Sequence, residues 1–169
     1  MEKQKKSIKS WVLWAIVAGL VIVDQIVKFS VKTTMTLGES HNVLGSWFRW
    51  CFIENEGAAF GMALGGEYGK LILSLFRIVA IGVLGWFVGK LRRSGAPRGV
   101  VVGFAMILAG AIGNMVDSAF YGVIFSESTF TSVAQFLPEG GGYAPFLYGK
   151  VVDMLYFPLF HFPEWMPLV

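Results

Sequence analysis

Three long apolar runs dominate the chain: Trp11 to about Val31, Leu71 to Val88, and Val100 to about Phe120. At ~1.5 Å per residue, about 20 helical residues reach roughly 30 Å, the thickness of a bilayer's hydrocarbon core. The pattern predicts three membrane-crossing helices. Polar interruptions inside them need a physical reason, because a carboxylate at the bilayer centre costs about 2.5 to 3.5 kcal/mol on insertion scales. Asp24 and Lys28 interrupt the first run, Arg77 the second, and Asn114 and Asp117 the end of the third. Between the first two runs, the stretch 43–52 is aromatic and strand-like, and Asn55 is followed by turn glycines and small residues. That alternation predicts a short sheet or hairpin.

Charge sets the expected topology. Lys3, Lys5, Lys6 and Lys9 precede the first run, and Lys90, Arg92, Arg93 and Arg98 separate the second from the third. Both clusters mark cytoplasmic segments by the positive-inside rule, so the N-terminus is expected inside and the stretches 32–67 and 121–150 outside. Gly65-Gly66 and Pro138-Glu139-Gly140-Gly141-Gly142 punctuate those outer stretches as loops. The first run lacks a small-residue cleavage site and continues into Asp24, which favours a retained anchor over a cleaved signal peptide. Counted from the cytoplasmic ends, Asp24 lies about 20 Å deep, and Lys28 and Asp117 about 26 Å. Asp153 follows a connection that begins and ends outside, so it can return to the same level. The carboxylates thus gather where headgroups meet acyl chains on the external side.

Composition agrees with one membrane-embedded unit over 1–169: 55% of residues are hydrophobic and the mean hydropathy is +0.62. The net charge of +3 does not imply nucleic acid, because the basic residues flank apolar runs instead of lining a polar face. The single cysteine, Cys51, forms no intrachain disulfide and no Cys-based zinc site, and reads as apolar filler between Trp50 and Phe52. His41 and His161 are isolated and no H-E-x-x-H occurs, so metal-dependent hydrolysis has little support and no cofactor is expected.

Several polar residues admit two readings. Asp24 and Lys28, four apart on one helix face, either neutralise each other or face a substrate. Arg77 snorkels, pairs with a carboxylate on another helix, or meets a lipid phosphate. Gly110 and Gly113, beside Ala109 and Ala111, are expected to admit a neighbouring helix, with Asn114 and Asp117 on that face looking into the bundle. Trp47 and Trp50 suit an interfacial belt.

Four elements in order, Asp24-Gln25-x-x-Lys28, Asn55-x-Gly57-Ala58-Ala59-Phe60, Gly110-x-x-Gly113-Asn114-x-x-Asp117 and Gly149-Lys150-Val151-Val152-Asp153, resemble lipoprotein signal peptidase. The resemblance implies a mainly α membrane protein with four helices, three of them visible here, and an extracytoplasmic β-sheet cradle. It also implies a monomeric aspartic endopeptidase of the bacterial inner membrane, with its site at the outer face. Such an enzyme removes signal peptides from prolipoproteins just before a diacylglyceryl-modified cysteine, so the expected partners are that substrate and membrane lipid.

Residue by residue, Asp153 matches a catalytic aspartate, Asn114 and Asp117 match supporting residues, and Asn55, Asp24 and Lys28 match residues that contact substrate or hold the fold, with Gly113 beside them. Two-carboxylate hydrolysis needs one ionised acid to take a proton from water and one protonated acid to polarise the carbonyl, and no metal. The family's second catalytic aspartate belongs to an Asn-x-Ala-Asp motif opening a fourth helix. No such motif follows Asp153, and the proline-punctuated stretch 154–169 is not a spanning helix, so the sequence reads as C-terminally truncated with one matched catalytic carboxylate. Two further departures are Ser118, where the family has an arginine, and a long insertion between Asp117 and Asp153, covering 122–149 and including Ser126 to Tyr148, expected to be an extra loop over the site or disordered. Readings from other classes are a non-catalytic lipopeptide-binding remnant and a small ion-coupled transporter; the latter lacks visible repeats or broken helices.

Overall fold

A computed structural model describes residues 8–45, 47–55 and 68–158. The glycine-rich segment after Asn55, the pair Gly65-Gly66, His161, the N-terminal lysines 3, 5 and 6, and the proline-punctuated tail beyond 158 lie outside the described residues.

Among the described residues, three helices are long and apolar enough to cross a membrane: α1 (Ser10–Thr34), α2 (Gly69–Arg93), and α3, which runs from Arg98 and ends at Ile124. A helix covers each of the three expected runs, and each helix is longer than its apolar run. Only 11% of the most apolar window of α2 is buried inside the protein, so most of that helix must find an apolar medium outside it. α3 packs against both α1 and α2.

The turn between α2 and α3 follows from its residues. Gly95 takes φ +73°, the left-handed position at which helices end, and Ala96 N–H reaches back to the Leu91 carbonyl at 3.2 Å. Pro97 then precedes the first residue of α3. Lys90, Arg92 and Arg93 in the last turn of α2 and Arg98 at the start of α3 ring this end.

A three-stranded antiparallel sheet caps the opposite end in the order β1 (Ser40–Leu44), β2 (Phe48–Asn55), β3 (Val151–Tyr156). β3 joins from the far side of α3, with Asp153 paired to Ile53 and Val152 to Glu54. Side chains alternate across a strand, so Phe52 and Glu54 turn inward while Ile53 and Asn55 share the other face with Asp153.

Two apolar clusters divide the interior. One, near the basic turn, contains Leu13, Val88, Val101 and Leu108; the other, under the sheet, contains Val31, Phe52, Tyr121, Phe125 and Val152. The polar residues of α1 and α3 lie between them.

The end of α3 departs from expectation. Instead of stopping near Phe120, the helix widens into a π-helical turn at Asp117–Tyr121 and closes with an α turn, Gly122–Ile124. A π turn leaves backbone carbonyls without their usual helical partners, and the 122–149 insertion helps to take them up. Gly149 N–H bonds the Ser118 carbonyl at 2.9 Å, Leu147 N–H that of Ala119 at 3.3 Å, and Ala144 N–H that of Gly122 at 2.9 Å. The insertion is therefore packed irregular chain, tied also to α1 through Ala134 N–H and the Lys32 carbonyl at 3.3 Å.

Candidate active site

The centre of the site is Asp117, fully buried in the π turn. Its Oδ1 accepts from Gln25 Nε2 at 3.0 Å. Its Oδ2 accepts from Lys28 Nζ at 2.6 Å and from the backbone N–H of Val152 at 3.2 Å. Three separate elements, α1, α3 and β3, therefore meet on one carboxylate. Charge-assisted bonds of this kind are the strong ones, and a buried carboxylate without them would be untenable.

Lys28 resolves the reading of the α1 pair. It lies 3.4 Å from Asp24 but closer to Asn114 Oδ1, at 2.8 Å, and to Asp117. The lysine thus bridges α1 to α3 and does more than neutralise its helical neighbour. Gln25 adds a second clamp by donating to Asp24 Oδ2 at 3.1 Å and to the Gly113 carbonyl at 3.2 Å. Gly113 is needed at this crossing, because a Cβ there would overlap the Asp24 carboxylate. Gly110 is different: it is exposed and a Cβ would meet open space, so the close approach expected of both glycines belongs to Gly113 alone.

Asp153 follows Val152 directly, so the Val152–Asp117 hydrogen bond sets its position. Its carboxylate is exposed at the rim and accepts a hydrogen bond from Asn55 on the adjacent strand. Partial burial still holds the Asp153 carboxyl above the usual carboxylate range; the charges of Lys28 and Arg77 pull the other way without cancelling it. Arg77 reaches in from α2 and donates to Ser118 Oγ at 3.1 Å. The serine at this position therefore receives a guanidinium from the neighbouring helix, and Arg77 is held by protein.

Asp24, Lys28, Asn114, Asp117 and Gly113 form one connected cluster, and Asn55 and Asp153 form a second at its edge, joined to the first through Val152. Gln25 stood in the first motif but was assigned no role, although an amide at membrane depth carried the same signal as Asp24 beside it. A buried group on the inner face of the sheet also escaped the sequence reading. Lys32, with no exposed surface, pairs with Glu54 and bonds Ser128 Oγ at 2.9 Å, 5.1 Å from the centre of the Tyr143 ring. It sits in the last turn of α1, where the apolar run had ended and a loop was expected. Its partner Glu54 precedes Asn55, so this ion pair anchors the strand that supports Asp153.

Comparison with known proteins points the same way. The model of the family described as Signal peptidase (SPase) II matches residues 16–167. A lipoprotein signal peptidase of Porphyromonas gingivalis is 49% identical over 159 residues, covering 92% of this chain and 68% of that protein. One from Amoebophilus asiaticus is 32% identical over 164 residues, covering 94% and 65% respectively. A solved structure described as a bacterial membrane enzyme shares the fold, with a TM-score of 0.60 at 22% identity over 92% of this chain and 75% of its own. This membrane protein, mainly helical with three potential spans and a three-stranded sheet at one end, belongs to the signal peptidase II family.

Proposed function

We propose that the protein removes signal peptides from prolipoproteins as an aspartic endopeptidase, cutting before a diacylglyceryl-modified cysteine, with Asp153 as one of the two catalytic carboxylates. The observation that carries this reading is the contrast around Val152: its N–H is fastened to Asp117, while the next side chain, Asp153, stands at an open rim with Asn55 beside it. Asp153, raised in basicity by partial burial, takes a proton from water as the water attacks the scissile carbonyl. Asp24, Gln25, Lys28, Gly113, Asn114 and Asp117 hold the strand in place, and Asn55 orients the reacting carboxylate. The site opens toward the outer face of the bacterial inner membrane, which agrees with the basic turn between α2 and α3 lying in the cytoplasm.

Two-carboxylate hydrolysis needs a second acid facing Asp153, to polarise the scissile carbonyl and protonate the leaving amine; the family resemblance assigns it to an Asn-x-Ala-Asp motif that does not follow Asp153 in this sequence, so the reading applies to the protein that carries that motif. Asp117 does not fill that role, because both its oxygens already accept hydrogen bonds from groups that fix the fold.

The test is cleavage of a synthetic prolipoprotein peptide, diacylglyceryl-modified at its cysteine, in lipid by purified protein that includes the family's second acid. Cleavage before the modified cysteine, lost on Asp153→Asn and retained with chelator, is the expected result. Tight binding of the lipidated peptide without cleavage would transfer the assignment to a lipopeptide-binding role.

A further inference from the structure

We propose that the insertion between α3 and β3 is an interfacial element that dips two apolar turns into the headgroup–acyl boundary of the bilayer at the sheet end. Phe136, Leu137 and Phe146 are large, apolar and exposed, Leu137 to 65%. They lie on two separate turns of irregular chain, which calls for a low-polarity partner outside the protein. The position of the two phenylalanine rings identifies it. Phe136 sits edge-on to Phe29 of α1, ring centres 5.2 Å apart, and Phe146 edge-on to Phe120 of α3 at 5.6 Å. Phe29 and Phe120 are themselves exposed on spanning helices, so the insertion extends a surface that lipid already covers.

Depth agrees. Counted from Trp11 and Val100, where the apolar runs begin, Phe29 lies about 27 Å along its helix and Phe120 about 30 Å along its own, at the far edge of a ~30 Å hydrocarbon core. Rings packed there occupy the level of the aromatic belt. Irregular backbone survives near lipid only where its polar groups are paired within the protein. Leu137 N–H bonds the Ile124 carbonyl at 2.8 Å, and the Leu147 carbonyl accepts from Ser74 Oγ of α2 at 2.8 Å. Both leucines adopt left-handed backbone conformations, φ +49° at Leu137 and +72° at Leu147, which branched side chains rarely accept. Between the two turns, Glu139, Gly140, Gly141 and Gly142 are exposed and carry no apolar side chain.

Site-directed depth measurement tests this and requires no catalytic activity. In a Cys51→Ala background, cysteines introduced as Phe136→Cys, Leu137→Cys, Phe146→Cys and Gly140→Cys are labelled with an environment-sensitive fluorophore and reconstituted into phosphatidylcholine vesicles. Labels at 136, 137 and 146 are expected to emit at shorter wavelength and to be quenched by lipid carrying a shallow nitroxide at least twofold more strongly than the label at 140. The label at 140 is expected to be quenched by aqueous iodide. Equal iodide access at all four sites, with no lipid quenching at 136, 137 or 146, overturns the proposal. Leu137→Cys removes neither ring contact, so it reads depth even if the phenylalanine variants repack.

Discussion

Asp117 and Asp153 are the same residue type on neighbouring elements, and their surroundings suit them to opposite tasks. Asp117 is sealed in the π turn with each oxygen engaged, and the elements it joins cannot separate without stranding a charge. Asp153 stands at the rim, held by Asn55, with one side open. A carboxylate whose hydrogen-bonding capacity is spent on the fold is poorly placed to exchange protons with a substrate; one kept accessible and partly desolvated is suited to do so. The buried acid places the accessible one, through a single backbone N–H on Val152.

The comparison can be broken in several ways. The largest effect is expected from Asp153→Asn, which should lower the rate of lipidated-peptide cleavage by about 10²–10⁴-fold while changing unfolding free energy by less than about 0.5 kcal/mol. Thermal unfolding in detergent alongside the cleavage assay measures both, and a large loss of stability would erase the distinction between the two acids. Asp117→Ala reverses the profile. It leaves Lys28 buried with a weakened set of partners and should cost about 3–5 kcal/mol, read as a lower midpoint in the same unfolding experiment; a midpoint near that of the parent would contradict the structural role.

Gly113→Ala probes the helix crossing beside Asp117. The added methyl displaces a carboxylate already restrained by Gln25 and Lys28, at a cost of about 1 kcal/mol or more, whereas Gly110→Ala points into open space and should be silent. Equal effects at the two glycines would remove the packing argument. The smallest effect concerns pH. Activity should fall as pH drops through the pKa of Asp153, because the proton acceptor becomes protonated, and that acidic limb should lie above the ordinary carboxylate range. Arg77 lowers the pKa of Asp153, so Arg77→Gln is expected to move the limb to higher pH and Arg77→Lys to leave it closer to the parent. A pH–rate profile that does not move in Arg77→Gln would separate Arg77 from the site.

Much of this arrangement was legible in one dimension, and the exceptions share a cause. The spans were readable because an apolar run long enough to cross a bilayer is a local property, and so was the oddity of Asp24, Lys28 and Asp117 within them. Gln25 carried the same signal and was passed over in favour of its charged neighbours. Lys32 and Glu54 were not legible as a buried pair, since each looks like an ordinary polar residue of a loop or strand until the sheet folds back onto α1. Gly110 and Gly113 are equivalent on paper and differ because the Asp24 carboxylate faces only Gly113.

Sequence alone therefore determined the medium, the number of apolar spans visible, and the identity of the polar residues that demand partners, because hydropathy and the cost of immersing charge depend on the residues themselves. Only the tertiary structure decided which partner each one took. Lys28 took Asp117 and Asn114 in addition to its helical neighbour, α3 opened into a π turn, and β3 arrived beside β2. Those outcomes depend on distances between segments remote along the chain, which no local pattern encodes.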